Sequence, residues 1–138
     1  MIRTEQVELS TKGYTDIHDI TPLLDQLLEK AGLDKGVVTV FVPGSTGGLT
    51  TIEYEPGLIK DIPEILEKIA PVSAPYHHHQ TWHDDNGSSH VRSALIGPSI
   101  TIPFVKGKLT LGAWQQVVFI DFDTRPRNRR LVVQIMGE

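Results

Sequence analysis

Apolar side chains recur along this chain with two different spacings, which predict two helices and seven strands. The segment 19–32 carries leucines at helical spacing, with Thr21 placed as an N-cap, Pro22 at the first helical position and Gly32 at the end. The segment 55–71 repeats that spacing, and Pro63 is expected near its start or at a kink. Strands are predicted for seven apolar or alternating runs, at 5–10, 36–42, 48–54, 99–105, 108–114, 116–122 and 130–136.

The order of these elements predicts an α+β fold, with one domain over residues 1–138. The strands at 36–42 and 48–54 are expected to pair with each other. The sequence KGK at 106–108 is expected to make a tight hairpin turn, and the basic segment 123–130 a longer connection. We therefore predict a curved, mostly antiparallel sheet packed on its inner face by the two helices.

Composition narrows the class of protein without identifying it. The chain has no cysteine, which excludes disulfides, thiolate metal ligands and a thiol nucleophile, and fits a reducing compartment. A formal net charge of -4 argues against a nucleic-acid partner. No apolar run approaches the roughly 20 residues of a membrane span, and the N-terminus lacks the pattern of a secretory signal. We expect a cytoplasmic protein that binds neither nucleic acid nor membrane.

One polar stretch, YHHHQTWHDDNGSSH at 76–90, contains five of the six histidines and is expected to form a long loop. His78 or His79 at one end and His90 at the other can converge on a metal ion, since imidazole is a common metal ligand and also titrates near neutral pH. Long loops in compact domains tend to be functional. The alternative is a solvated loop whose histidines have no function, because the spacing matches no compact metal motif.

Not every residue of this stretch needs a role. Asp84 and Asp85 are the acidic groups between the histidines, and Asp85 is the one we take as a third ligand or as the residue that orients a histidine. We expect some of the remaining histidines to be bystanders, and His83 in particular.

A second polar cluster lies in the strand-rich half. Trp114 suits either a core position or a site, whereas Gln115 beside it is harder to explain as core. Arginines at 125, 127, 129 and 130 form either a solvated turn or a clamp for a phosphorylated molecule, because guanidinium binds oxyanions in a bidentate manner. The segment 42–50, VPGSTGGLT, resembles a phosphate-binding loop only loosely, since it has no G-K-[ST] and no helix directly after it.

Together these segments resemble the YjbQ-like proteins, a family often labelled secondary thiamine-phosphate synthase, and in particular an archaeal-looking branch of it. The resemblance covers nearly the whole chain. It is carried by GLTTIEYEPG (48–57), Y-x-H (76–78), DDNGSSHVRSALIGPSITIP (84–103), GKLTLGAWQQ (107–116) and RNRRLVVQIMGE (127–138).

The resemblance implies a homotrimer and a small phosphorylated substrate. It nominates as catalytic residues His78, Asp85, His90, Trp114, Gln115 and Arg130. We expect Arg127 and Arg129 to bind the phosphate. The histidine-rich stretch is where we expect a divalent metal such as Zn or Mg, held by His78, His90 and Asp85. His79 takes the place of His78 if the alignment has a one-residue gap.

The chain departs from the family at one position. Many members carry a His-Thr-[Ser/Thr] triplet where this chain has Gly44 and Ser45. If that histidine is a metal ligand in other members, this chain has one ligand fewer. Three functions then follow from the sequence: a thiamine-phosphate synthase-like transferase, a metal- or anion-binding module without turnover, and a metal-assisted hydrolase.

Overall fold

The computed structural model describes residues 1–138 and folds them into eight strands and four helices. The strands are β1 (Ile2–Thr11), β2 (Asp16–Asp19), β3 (Lys35–Phe41), β4 (Gly47–Ile52), β5 (Ser99–Val105), β6 (Lys108–Leu109), β7 (Gln116–Asp121) and β8 (Arg127–Gly137). The helices are α1 (Thr21–Ala31), α2 (Pro56–Ile69), α3 (His77–Trp82) and α4 (Gly87–Ile96).

The strands form two antiparallel sheets. One has five strands in the order β1-β8-β3-β5-β6, and the other has three in the order β2-β7-β4. The predicted α+β class and antiparallel pairing are confirmed. The expectation of a single sheet with two helices was too simple, because β2, α3 and α4 carry little of the apolar periodicity on which the prediction depended.

Strand β7 lies at the centre of the molecule because its side chains are apolar on both faces. Val117 and Phe119 belong to the main core, together with α1 and the five-stranded sheet. Val118 and Ile120 belong to a second core that includes Leu66 of α2. Because β7 is buried on both faces, the carboxylate of Asp121, the last residue of β7, is fully buried.

The start of helix α1 differs from the prediction. Ile20, not Thr21, occupies the cap position, and the Thr21 N–H donates to Asp19 Oδ1 over 3.0 Å. The Thr21 hydroxyl accepts the Val117 N–H over 2.8 Å, so it ties α1 to β7 instead of capping the helix. Gly32 ends α1 in the left-handed conformation, as predicted.

Helix α2 continues through Pro63 as one helix. Its first turn is held by Glu55, whose carboxylate accepts the N–H groups of Gly57 and Leu58. Leu66 packs into the core, whereas Ile65 and Ile69 of the same predicted stripe are exposed. None of the four helices is long and apolar enough to span a membrane.

Two strand predictions were wrong. β4 pairs with β7 and not with β3, because Gly47 and Gly48 allow it to pack closely on Phe119 and Ile96. The predicted strand 108–114 is reduced to β6, because the Gly112 N–H donates to the Gln115 side chain and the chain turns. The turn at 106–107 matches the prediction, with Lys106 and Gly107 both left-handed.

The prediction that 76–90 is a loop was also wrong, since α3 and the first turn of α4 occupy most of it. α4 packs on β4, where the Ser93 hydroxyl donates to the Gly47 carbonyl, and it buries Ser88, Ser89, Arg92 and Ser93. Its buried face therefore consists of small polar residues and one arginine, which a count of apolar spacing does not detect.

Candidate active site

Helices α3 and α4 bring the two ends of the histidine-rich stretch together. The rings of His78 and His90 lie side by side, with their centroids 4.4 Å apart. His78 Nε2 lies 3.0 Å from Asn86 Oδ1 and 3.9 Å from Asp84 Oδ2. The chain thus has a pair of adjacent imidazoles, with an amide and a carboxylate beside them.

His79 has a different role from His78. Its Nε2 accepts the Gly87 N–H over 2.9 Å, so His79 satisfies the first free N–H of α4. Its ring also makes an edge contact with Tyr76. Of the two histidines between which the sequence did not decide, His78 is the one beside His90.

Burial lowers the pKa of His90 below its ordinary value, and the neighbouring His78 lowers it further. Asp123, Asp84 and the Ser45 backbone oppose this shift without cancelling it. The His90 ring is therefore neutral at pH 7, and a neutral imidazole can accept a proton or ligate a metal.

A buried ion pair lies next to this histidine pair. Arg129 Nε and Nη2 donate to the two carboxylate oxygens of Asp121 over 2.7 and 2.8 Å. Burial acts to raise the pKa of Asp121, but hydrogen bonds from Arg129 and Thr11 outweigh it and hold the pKa below its ordinary value. Asp121 is therefore ionised, and Arg129 neutralises it in a site almost closed to water.

A second aspartate links this ion pair to the histidines. Asp123 accepts a hydrogen bond from Arg127 Nε over 2.7 Å and another from the Asn86 side chain. Burial acts to raise its pKa, but these bonds and the Thr124 N–H hold the pKa below its ordinary value. Since Asn86 also contacts His78, one hydrogen-bonded chain joins His78 to Arg127.

The segment 44–46 lies between His90 and Arg129. His90 contacts the Ser45 backbone, and the Thr46 hydroxyl accepts from Arg129 Nη2 over 2.7 Å. A Cβ atom added at Gly44 would lie 3.5 Å from Arg129 Nη1. Arg129 Nη1 makes none of the hydrogen bonds of this guanidinium, so one N–H face of Arg129 is free beside Gly44.

Three of the predicted site residues lie away from the histidine pair within one chain. Trp114, which is 76% exposed, and Gln115 precede β7 at the end opposite Asp121, so they are separated from Asp121 by the length of β7, roughly 17 Å at about 3.4 Å per residue. Arg130 lies on the opposite face of β8 from Arg129 and pairs with Glu8 over 3.5 Å. Arg130 and Arg129 nevertheless both border a cleft of about 330 Å³ beside Pro43.

The metal ligands predicted from the sequence come together only in part. His78 and His90 are adjacent, but Asp85 accepts a hydrogen bond from Thr124 and lies 4.0 Å from Arg125. No group of three His, Cys, Asp or Glu side chains in the chain is arranged to hold a metal ion. Since protein metal sites usually need three or four such ligands, the donors of one chain do not complete a site.

Sequence reasoning missed four residues of this cluster: Asp121, Asp123, Asn86 and Thr46. A signal for the aspartates was present, because Asp121 ends a buried strand, Asp123 follows two residues later, and Arg127 and Arg129 have the same spacing. Residues two apart in a strand point to the same face, so this spacing matches two acidic groups to two basic ones.

Comparison with known proteins gives the family. The sequence model described as UPF0047 protein YjbQ-like matches residues 5–138. The chain belongs to the YjbQ-like UPF0047 family. A UPF0047 protein of Methanothermobacter thermautotrophicus is 36% identical over 137 residues, which are 99% of this chain and 94% of that protein. A UPF0047 protein of Archaeoglobus fulgidus is 36% identical over 131 residues, covering 95% of this chain and 99% of the relative.

Solved structures of YjbQ-like proteins have the same fold. A YbjQ-like protein of unknown function from Sulfolobus solfataricus has a TM-score of 0.93 at 29% identity, covering 100% of this chain and 99% of that one. A hypothetical protein from Aeropyrum pernix has a TM-score of 0.92 at 30% identity, covering 99% of both chains. These relatives carry no stated activity, so the function has to be argued from the site.

Proposed function

We propose that this YjbQ-like chain is an enzyme acting on a small phosphorylated molecule, with His90 as the proton acceptor. The observation that carries the proposal is the position of segment 44–46, which contacts the neutral His90 ring on one side and Arg129 on the other. A phosphate bound at the free Arg129 Nη1 would place the rest of the molecule beside the imidazole pair.

The surrounding residues would supply position and charge. His78, which is hydrogen-bonded to Asn86, packs beside His90. The buried aspartates fix Arg127 and Arg129 in place through hydrogen bonds. Fixed donors aimed at an oxyanion act without reorganisation during the reaction, which makes such preorganised sites effective. Arg130, across the adjoining cleft, is the second basic group we assign to the phosphate.

A narrower form of the proposal is a thiamine-phosphate synthase-like transfer. In that reaction the ring nitrogen of a thiazole phosphate attacks the methylene carbon of a pyrimidine diphosphate, a C–N bond forms, the C–O bond breaks and diphosphate leaves. Diphosphate normally needs Mg²⁺ as well as basic residues, and Asp84 and Asp85 are the exposed carboxylates nearest the histidines. A metal held by His78, His90 and water is a further proposal, and no step above depends on it.

An assay of turnover with three substrates tests the proposal. Untagged protein is given the pyrimidine diphosphate with the thiazole phosphate, and separately p-nitrophenyl phosphate and bis-p-nitrophenyl phosphate, each with Mg²⁺, with Zn²⁺ or with EDTA. We expect turnover of at least one substrate. Hydrolysis of either phosphate ester should fall about 10²–10⁴-fold in His90→Ala, because the attacking water loses its proton acceptor. The transfer removes no proton from the thiazole nitrogen, so this expectation applies to the two esters. The matched control is His83→Ala, which removes a histidine outside the pair and should leave the rate unchanged.

The pattern of activity distinguishes the alternatives. Thiamine phosphate with released diphosphate supports the transferase, and p-nitrophenolate supports a hydrolase of phosphate esters. Activity that EDTA removes and Zn²⁺ restores supports the metal. No turnover of any substrate by the wild-type chain would contradict the enzyme and favour a binding module.

We also propose that the chain forms a homotrimer through the outer face of its five-stranded sheet. No helix covers this face, and three successive rows of four side chains on it carry no charge: Ile2–Met136–Val37–Pro103, Thr4–Gln134–Thr39–Thr101 and Gln6–Val132–Phe41–Ser99. An exposed surface of twelve side chains without a charge is typical of the central part of a subunit interface.

Light scattering at micromolar concentration tests the trimer. We expect three times the 15.3 kDa chain mass for the wild type and a lower mass for Thr39→Lys, because burying like charges at an interface costs several kcal/mol. Gln26→Lys on the exposed side of α1 is the control and should remain trimeric. A wild-type mass of one chain would contradict the proposal.

A further inference from the structure

The largest of three cavities in the chain lies away from the histidine pair. It has a volume of about 640 Å³ and opens between the second half of α1 and the turn that joins β5 to β6. Small-molecule sites typically have volumes of about 300–1,000 Å³, so this cavity has the size of a ligand site.

One wall of the cavity is acidic. Asp25, Leu28, Glu29 and Gly32 line it at positions i, i+3, i+4 and i+7, so they share one face of α1. The C-terminal end of a helix carries partial negative charge, which adds to the two carboxylates here. Burial raises the pKa of Asp25 above its ordinary value, and nearby Asp19 raises it further, as expected of a carboxylate without a cationic partner.

The opposite wall is basic. Lys106 and Lys108 flank Gly107 in a turn whose first two residues are left-handed, with φ of 55° and 71°. The Gly107 N–H donates to the Asp34 carbonyl over 2.9 Å, which fixes the turn against the end of α1. The backbone of the turn therefore places both lysines at the edge of the cavity.

The two charged walls do not pair with each other. The salt bridges of the chain include neither of the carboxylates nor either of the lysines that line the cavity. Between the walls lie three leucines, of which Leu28 and Leu33 belong to the main core and Leu109 packs against it. Opposite charges thus face each other across an apolar floor and leave room between them.

We propose that this cavity binds a small dipolar molecule, with an ammonium group against Asp25 and Glu29 and a carboxylate against Lys106 and Lys108. An aliphatic segment between the two charged groups would lie on Leu28, Leu33 and Leu109. This second site is independent of the proposed enzyme, because none of its residues belongs to the histidine cluster.

Calorimetric titration with 6-aminohexanoate tests the site, with hexanoate and hexylamine as probes that keep one charge each. We expect saturable binding of 6-aminohexanoate that is at least about tenfold tighter than that of either single-charge probe, because each single-charge probe lacks one of the two charge-assisted hydrogen bonds. Lys108→Gln and Asp25→Asn should each weaken 6-aminohexanoate binding about tenfold. Lys68→Gln on α2 and His90→Ala should not change it.

Two results would overturn the proposal. One is the absence of saturable binding by 6-aminohexanoate, and the other is binding that Lys108→Gln and Asp25→Asn leave unchanged. Because the lysine and aspartate are exposed, both variants are expected to fold, and equal unfolding midpoints in urea verify that the comparison is valid. His90→Ala separates this proposal from the enzymatic one, because it removes the proton acceptor and leaves the cavity intact.

Discussion

Replacing Arg129 by methionine is expected to lower the free energy of unfolding by about 3–5 kcal/mol, because it leaves a buried charge without a partner. The Asp121 carboxylate has no exposure and the Arg129 side chain only 13%, so water cannot replace the guanidinium. Thr11 would still donate to Asp121, but one hydroxyl does not neutralise a carboxylate. Urea denaturation at pH 7 measures the effect.

Arg130→Met is the matched control, since it removes the neighbouring arginine of the same strand. Arg130 and Glu8 are both mostly exposed, and exposed ion pairs contribute only about 0–1 kcal/mol. The double variant Arg129→Met with Asp121→Leu should recover part of the loss, because no uncompensated charge remains. If Arg129→Met is no more destabilising than Arg130→Met, Arg129 is not required to compensate the buried Asp121 charge.

The same ion pair gives the stability a defined dependence on pH. The folded-state pKa of Asp121 lies below the unfolded value of about 3.9. Its contribution is therefore fully present above that value and is lost as pH falls through the lower folded pKa. Without Arg129, burial favours the neutral Asp121 carboxyl, so the difference in free energy of unfolding between wild type and Arg129→Met should shrink as pH falls and be smallest below the folded pKa of the wild type.

The sequence was sufficient to predict elements whose apolar side chains repeat regularly. Helix α1 with its leucine stripe and Gly32, strands β3, β5, β7 and β8, and the turn at Lys106 and Gly107 were all found near the predicted positions. In these segments burial, backbone preference and turn chemistry favour the same structure.

The sequence was insufficient where polar residues perform the packing. α4 buries serines and Arg92, whose guanidinium is held by the Ala70 carbonyl, the Thr15 hydroxyl and Glu67, so its periodicity is not apolar. The pairing of β4 was also not predictable from the sequence, because β4 is close to β3 along the chain but joins the other sheet. The pairing depends on packing at Gly47 and Gly48 that no local pattern encodes.

The candidate site, likewise, was predicted only in part. The histidine-rich stretch was conspicuous from composition, and His78 and His90 do lie together. Asp121 and Asp123 were not selected, because Asp121 was treated as part of an apolar strand and Asp123 as part of the basic connection, and their partners are four or eight residues away or in another element. Gly44, which looked like a lost ligand, lies beside Arg129 Nη1, the nitrogen of this guanidinium that makes no hydrogen bond.

His90 is expected to change its protonation when an anion binds at segment 44–46. In the free chain, burial and His78 lower its pKa below the ordinary value of about 6.5. A phosphate at Arg129 Nη1 would add negative charge near the ring and favour the imidazolium, so the pKa should rise. His18, held by Asp16 on β2, and the exposed His83 lie outside the pair.

The most direct test of the site is an NMR titration of the imidazole signals from pH 5 to 8, with and without saturating inorganic pyrophosphate. We expect a His90 midpoint below about 6.5 in the free protein and a higher midpoint with pyrophosphate. A His90 midpoint that pyrophosphate leaves unchanged would contradict the claim that this histidine pair and Arg129 form one site.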